Sequence, residues 1–263
     1  MRRISKLLLA GPLVAALLVG CSLLPEKIDE TQGWSVQQLY SEAKDSMNSG
    51  NYKTAIEYLD KIQARYPFGR YAQQAQIDTI YCQYKDNEPD AAIAAADRFI
   101  KANPRHPYVD YAYYMKGLAN FNRSNSLLER LAPTDRDKTD TNTARQAYSD
   151  FAELTRKFPD SKYAEDARQR MLFLHNSLAA YEINVANFYL RRGAYVAALN
   201  RATYVLKTYS RTPAAEDALS IMTQAYIKMD MPQLANDSLR VLEHNYPQSP
   251  ELPKLNALLK GTG

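Results

Sequence analysis

Apolar and polar positions along the chain fall into one motif that recurs. In the stretch Gly50-Asn51-Tyr52-Lys53-Thr54-Ala55-Ile56-Glu57-Tyr58-Leu59, continued to Tyr66-Pro67, the positions Ala55, Leu59 and Ile62 are spaced by four and three. That spacing puts them on one face of a helix. Pro67 cannot extend the helix, and it biases Tyr66 away from helical dihedrals. Gly50 supplies the turn from a preceding helix, and Ala43 is small enough to let the two helices cross closely. The motif predicts a helix, a glycine turn, a second helix and a stop. Equivalent stops stand at Pro104, Pro159, Ser210 and Pro247. Counting back from each finds Ala92 and Phe99, Ala147 and Leu154, Ala198 and Val205, Ala235 and Leu242 in the places of Ala55 and Ile62.

Successive stops are 37, 55, 51 and 37 positions apart, near the roughly 34 residues of a tetratricopeptide repeat, with two copies lengthened. The chain resembles an array of about five such repeats. This implies an all-α, right-handed superhelical solenoid whose core lies between neighbouring repeats. Ser35 is placed to cap the first helix. Repeat two is expected over Tyr71 to Lys85 and Pro89 to Lys101, and repeat three opens near Pro107. An insertion at 122–143 carries Leu127, Leu128 and Leu131, which would pack on the solenoid or a partner, and the charged run Asp135-Arg136-Asp137-Lys138, which reads as a solvated loop. Tyr163 to Arg192 lacks Gly and Pro and keeps helical spacing, so it reads as one long helix, with a kink near Asn176 as the alternative. Leu252 to Leu259 is expected to cap the last apolar face.

The N-terminus reads differently. Residues 1–20 have a basic start and an apolar run from Leu7 to Val19, too short for a spanning helix, which marks a signal peptide. Leu18-Val19-Gly20-Cys21 resembles the lipobox of bacterial lipoproteins, which implies cleavage before Cys21 and acylation of its sulfur. Residues 21–33 would then be a lipidated flexible tether that lets the solenoid tilt on the membrane, 34–160 repeats one to three, and 161–263 repeats four and five with the capping helix. The formal charge of +4 includes Arg2, Arg3 and Lys6, so the mature chain would carry 4−3=+1. No basic patch argues for nucleic acid. Cys82 is the only other cysteine; it reads as a buried apolar side chain, with no disulfide.

Nothing points to an enzyme, a metal or a cofactor. His106, His175 and His244 lack metal-ligand spacing, and no phosphate loop or nucleophile elbow is present. The informative constellation is aromatic. In a tetratricopeptide superhelix the first helix of each repeat lines the concave groove. Counted from each repeat's landmarks, the inward positions are Gln37, Tyr40, Lys44 and Met47, then Gln74, Ile77, Tyr81 and Tyr84, then Tyr111, Tyr114, Leu118 and Phe121. Tyrosine presents a flat apolar face and a hydroxyl at modest entropic cost, so this wall suits peptides with aromatic side chains, with lysines to meet a free carboxylate. The alternative is that several of these rings are solenoid core. Around the Gly193 turn, Arg191, Arg192 and Arg201 are suited to clamp a partner's carboxylate, or simply face solvent.

The lipobox, the repeats, Tyr66-Pro67-Phe68-Gly69, Asp135-Arg136-Asp137 and Arg192-Gly193-Ala194-Tyr195 together resemble the BamD family, tetratricopeptide lipoproteins of the outer-membrane β-barrel assembly machinery. The resemblance covers essentially the whole mature chain. It implies a non-catalytic scaffold on the periplasmic face of the outer membrane, held there by its lipid anchor only. The N-terminal repeats would receive the C-terminal aromatic signals of unfolded outer-membrane proteins. The C-terminal repeats would hold the periplasmic domains of the barrel subunit, and companion lipoproteins would bind as well. Arg70 departs from the family, which tends to carry proline there, and the insertion diverges in its middle. A periplasmic repeat lipoprotein that recruits proteases or cell-wall enzymes is the alternative on the same scaffold.

Overall fold

The computed structural model describes the backbone over residues 29–128 and 137–261, and side chains over 29–123 and 141–261. The lipobox at Cys21 and the residues Leu131 and Pro133 lie outside the described residues. Among the described residues the secondary structure is eleven helices: α1 (Val36–Asn48), α2 (Tyr52–Arg65), α3 (Arg70–Lys85), α4 (Pro89–Ala102), α5 (Val109–Leu128), α6 (Asp137–Lys157), α7 (Ala164–Arg191), α8 (Tyr195–Thr208), α9 (Ala214–Lys228), α10 (Pro232–Asn245) and α11 (Leu252–Lys260). Each packs on the next in sequence, giving five antiparallel pairs and a final single helix.

The second helices follow the register of the motif. Ala55, Leu59, Ile62, Ala92, Phe99, Ala147, Leu154, Ala198, Val205, Ala235 and Leu242 are all buried. The core is strung along the chain rather than gathered at one centre. One cluster joins the first repeat to Ala75 and Cys82 of α3, a long one runs from Ile77 to Ile221, and a third joins Leu219, Leu239 and Leu242 to Leu255 of α11. Full burial of a leucine such as Leu255 contributes about 1.5–3 kcal/mol, and α11 thereby closes the last open face.

Ser35 caps α1 as expected, its Oγ accepting from the Gln38 N–H at 3.2 Å. The turn inside a pair repeats a single backbone solution. Gly50, Asn87, Gly193 and Asp230 all have positive φ, between 56° and 78°, and each stands two residues before its second helix. The N–H of the following residue reaches back to the helix, as in Ala194 N–H to Tyr189 O at 3.0 Å and Met231 N–H to Tyr226 O at 3.0 Å. This pattern satisfies carbonyls that the helix end would otherwise leave open.

Both lengthened repeats are lengthened as helix. α7 is one helix of 28 residues, so the segment is not divided into two helices at Asn176. The segment 122–143 is entered by helix from both sides, since α5 reaches Leu128 and α6 begins at Asp137. The expectation of a loop is corrected there: Asp137 and Lys138 belong to a helix, and Thr141, Thr143 and Ala144 are buried. No Pro or Gly interrupts the chain between Leu118 and Ala132, so nothing stops α5 where a standard repeat would end it. α5 and α6 approach closely at Gly117, where a Cβ would lie 2.6 Å from the Phe151 ring.

Candidate functional site

The first helices of successive pairs touch one another, α1 with α3, α3 with α5 and α7 with α9; the second helices do not pack on each other to that extent. The first-helix layer is therefore the inner one, and its exposed face is the candidate groove. Among the described residues no group of His, Cys, Asp or Glu is arranged to hold a metal ion.

In repeats one and two the predicted residues converge on a carboxylate that sequence reasoning missed. The Tyr40 hydroxyl donates to Asp78 Oδ2 at 2.9 Å, Lys44 Nζ lies 3.9 Å from the same oxygen, and Gln74 donates to Oδ1 at 3.0 Å. Asp78 is itself buried, so these three partners compensate its charge. Burial, and then the neighbouring Asp78 carboxylate, push the Tyr40 hydroxyl upward. Tyr40 packs edge-on to Tyr71, and Tyr81 edge-on to Tyr52, whose ring also lies under the Lys85 ammonium. The Tyr84 hydroxyl accepts from Asn122 at 2.6 Å. Cys82 is buried behind this layer, its thiol pushed up to about 12 by burial.

Repeats three and four build the larger aromatic surface. Tyr163 stacks on Tyr114 with ring centroids 4.7 Å apart and lies 5.5 Å from Tyr111. The Tyr114 hydroxyl donates to Asp166 Oδ2 at 2.7 Å, and Arg170 Nε meets the same oxygen at 2.6 Å. Partial burial raises the Asp166 carboxyl, but the bonds from Arg170 and Tyr114 outweigh it and hold the group below the ordinary carboxylate range. Tyr114 is pushed up to about 12 by burial and by its bond to Asp166. The Arg170 guanidinium lies 4.8 Å over the Phe121 ring, and Phe121 meets Phe173 at 5.8 Å. Phe121 is buried and forms the floor, whereas Phe173 is 49% exposed and presents its ring.

Tyr163, Asp166, Arg170 and Phe173 are spaced by three, four and three, as are Tyr111, Tyr114, Leu118 and Phe121. Extending the inward count to repeat four would have found them.

The three arginines of the C-terminal half do not form one cluster. Arg191 and Arg192 are exposed at the end of α7, with Arg192 stacked 4.6 Å over Phe188. Arg201 lies along α8, about 9 Å in rise from its start, and its Nη1 meets Glu182 Oε2 at 2.8 Å. Arg145 Nη2 meets the other oxygen of Glu182 at 3.2 Å. Glu182 is buried, so the two guanidiniums clamp α6, α7 and α8 on one carboxylate.

The family described as YfiO, outer membrane lipoprotein, matches residues 33–242, which take in the inner face and the Glu182 clamp together. The chain belongs to this family. Its relatives include the outer membrane protein assembly factor BamD of Neisseria meningitidis serogroup B (strain MC58), 48% identical over 84% of this chain and 83% of that one. BamD of Vibrio cholerae serotype O1 is 38% identical over 90% of this chain and 97% of that one. BamD of Haemophilus influenzae is 36% identical over 93% and 92% respectively. The YfiO match spans the helices of all five pairs, apart from the end of α10, so the inner face described above is a surface of the family's own fold.

Proposed function

We propose that the chain is a non-catalytic scaffold in the assembly of outer-membrane β-barrels, tethered through an acylated Cys21 to the periplasmic face of the outer membrane. Its N-terminal repeats, continued by the inner face of repeat four at Tyr163 and Phe173, bind the C-terminal aromatic segments of unfolded outer-membrane proteins. Its C-terminal repeats, around Arg191, Arg192 and Arg201, bind the periplasmic domains of the barrel subunit, and companion lipoproteins join the same assembly. The assembly role follows the relatives' name, outer membrane protein assembly factor.

The observation that carries the peptide reading is the Tyr111–Tyr163–Tyr114 stack, with its hydroxyl tip fixed on Asp166 and Arg170 and Phe173 open beside it. Rings held in place before binding lose little entropy when another ring joins them, and each added aromatic pair contributes about 0.5–1.5 kcal/mol. Tyr40, Lys44, Tyr81 and Tyr84 continue the wall toward the N-terminus, and the exposed ammonium of Lys85 is placed to meet a terminal carboxylate.

The test is fluorescence anisotropy with a peptide ending in phenylalanine. Phe173→Ala, at an exposed position, should weaken binding about threefold to tenfold, and Tyr114→Ala by at least as much, with helicity retained by circular dichroism. Unchanged affinity in both folded variants would overturn the peptide reading.

A further inference from the structure

One edge of the solenoid carries exposed aromatic and basic side chains. Because the helices alternate in direction, all turns that join one pair to the next lie on the same edge. Phe68, in the first of these turns, is 90% exposed, the largest value for any large apolar side chain among the described residues, and Tyr108 in the second is 51% exposed. Exposed basic residues accompany them at Arg70, the first residue of α3, and at Arg105, Lys162 and Arg211 in the next three such turns. Basic residues in the last turns of the second helices, such as Arg65 and Lys101, offset the helix dipole. Arg70 is not placed by the helix dipole, and its guanidinium lies 5.0 Å over the Tyr71 ring. It is the first residue of α3, whose first turn holds no acidic residue, and a positive charge is unfavourable at that end.

The tether arrives at this same edge. Lys61 Nζ meets Asp29 Oδ1 at 2.8 Å, Arg65 pairs with the same carboxylate, and Arg65 Nη1 donates to Thr31 O at 2.6 Å. The Tyr66 hydroxyl donates to Trp34 O at 3.1 Å. The chain is thus pinned across the end of α2, immediately before Phe68. From Cys21 to Asp29 the sequence spans at most about 28 Å. A lipid-held Cys21 therefore keeps the end of α2, and Phe68 just beyond it, within about 28 Å of the bilayer.

We propose that this edge is a membrane-contact surface: Phe68 and Tyr108 enter the headgroup region of the leaflet that holds the anchor, and Arg70 and Arg105 pair with anionic phospholipid phosphates. The reach argument rests on the acylated Cys21 of the preceding subsection. An aromatic ring at the lipid boundary beside basic residues is the arrangement that interfacial binding favours. The contact adds to the anchor by fixing which face of the solenoid turns toward the bilayer and which stays open to partners.

The test labels Phe68→Cys with a fluorophore in the full mature chain on vesicles of phosphatidylethanolamine and phosphatidylglycerol. Cys82 is buried and stays unlabelled, and Val241→Cys on the exposed surface of α10 is the control. Lipids brominated on their chains should quench the label at 68 and not the one at 241. The acyl-free Cys21→Ser chain should bind these vesicles more tightly than neutral ones, and Arg70→Glu with Arg105→Glu should weaken that binding about tenfold or more. An unquenched label at 68 on an acylated chain that remains on the vesicles overturns the inference and leaves the anchor standing. So does a label at 68 that contacts only protein in native membranes. A chain that carries no acyl group sinks the anchor instead. In that case the edge stands or falls on whether the acyl-free chain shows the charge-dependent binding.

Discussion

Glu182 joins three helices through one carboxylate. Its oxygens are divided between Arg145 and Arg201, and the group is 1% exposed. Breaking a fully buried pair costs about 3–5 kcal/mol; here both guanidiniums are partly exposed and can turn to water, which lowers the cost. Glu182→Gln should destabilise the fold by about 1–3 kcal/mol, read as a lower urea midpoint at unchanged slope. Gly117 tests packing of a different kind. A methyl group there meets the buried Phe151 ring at 2.6 Å, so Gly117→Ala should destabilise by about 1–3 kcal/mol, and an unchanged melting temperature would contradict the close approach of α5 and α6. Asp166 supplies a pH dependence. A carboxyl depressed in the folded state contributes stability above its unfolded pKa of about 3.9, and that stability is lost as pH falls through the folded value. Tyr114→Phe removes one of the bonds that depress it, so the Asp166 carboxyl followed by NMR should titrate at higher pH in the variant, and the acid range over which repeats three and four stay joined should narrow.

At the scale of the element, the turn inside four of the pairs is built on one left-handed residue, Gly50, Asn87, Gly193 or Asp230, and its chemistry varies along the chain. At Gly193 a Cβ would meet nothing closer than 3.9 Å, so Gly193→Ala tests the backbone alone and should cost about 1 kcal/mol. Asp230 already bears the strain of the same conformation, and Asp230→Gly should be neutral or slightly stabilising in thermal unfolding. These turns also mark what was legible in the sequence. Gly50 and Gly193 announce themselves, while Asn87 and Asp230 do the same work with residues that are common everywhere on a surface. The second helices were legible because small and branched apolar residues recur at fixed distances before a proline. The early start of α6 at Asp137 was not, because charged residues read as loop whether or not a helix carries them. Within the candidate site, Tyr40, Tyr81, Tyr84, Tyr111 and Tyr114 could be assigned to first helices from their spacing, whereas Tyr163 lay beyond the three repeats that were counted. Asp78 and Glu182 were not legible, since a buried carboxylate is recognised by the partners that the fold brings to it, from α1 in one case and from α6 and α8 in the other.

Across the whole molecule the repeats offer three separate surfaces: the aromatic inner face of repeats one to four, the outer arginine clamp at Glu182 with Tyr204 exposed near it, and the basic edge at Phe68. A solenoid can keep such surfaces apart because each repeat contacts only its neighbours. This is what a scaffold for several simultaneous partners requires. The most direct measurement is photo-crosslinking in membranes of the source organism, with a crosslinking side chain in place of Phe173 in one chain and of Tyr204 in another, followed by identification of what is captured. The account predicts unfolded outer-membrane proteins at position 173 and a large β-barrel subunit at position 204. Capture of proteases or cell-wall hydrolases at both positions, with no barrel protein at either, would contradict it.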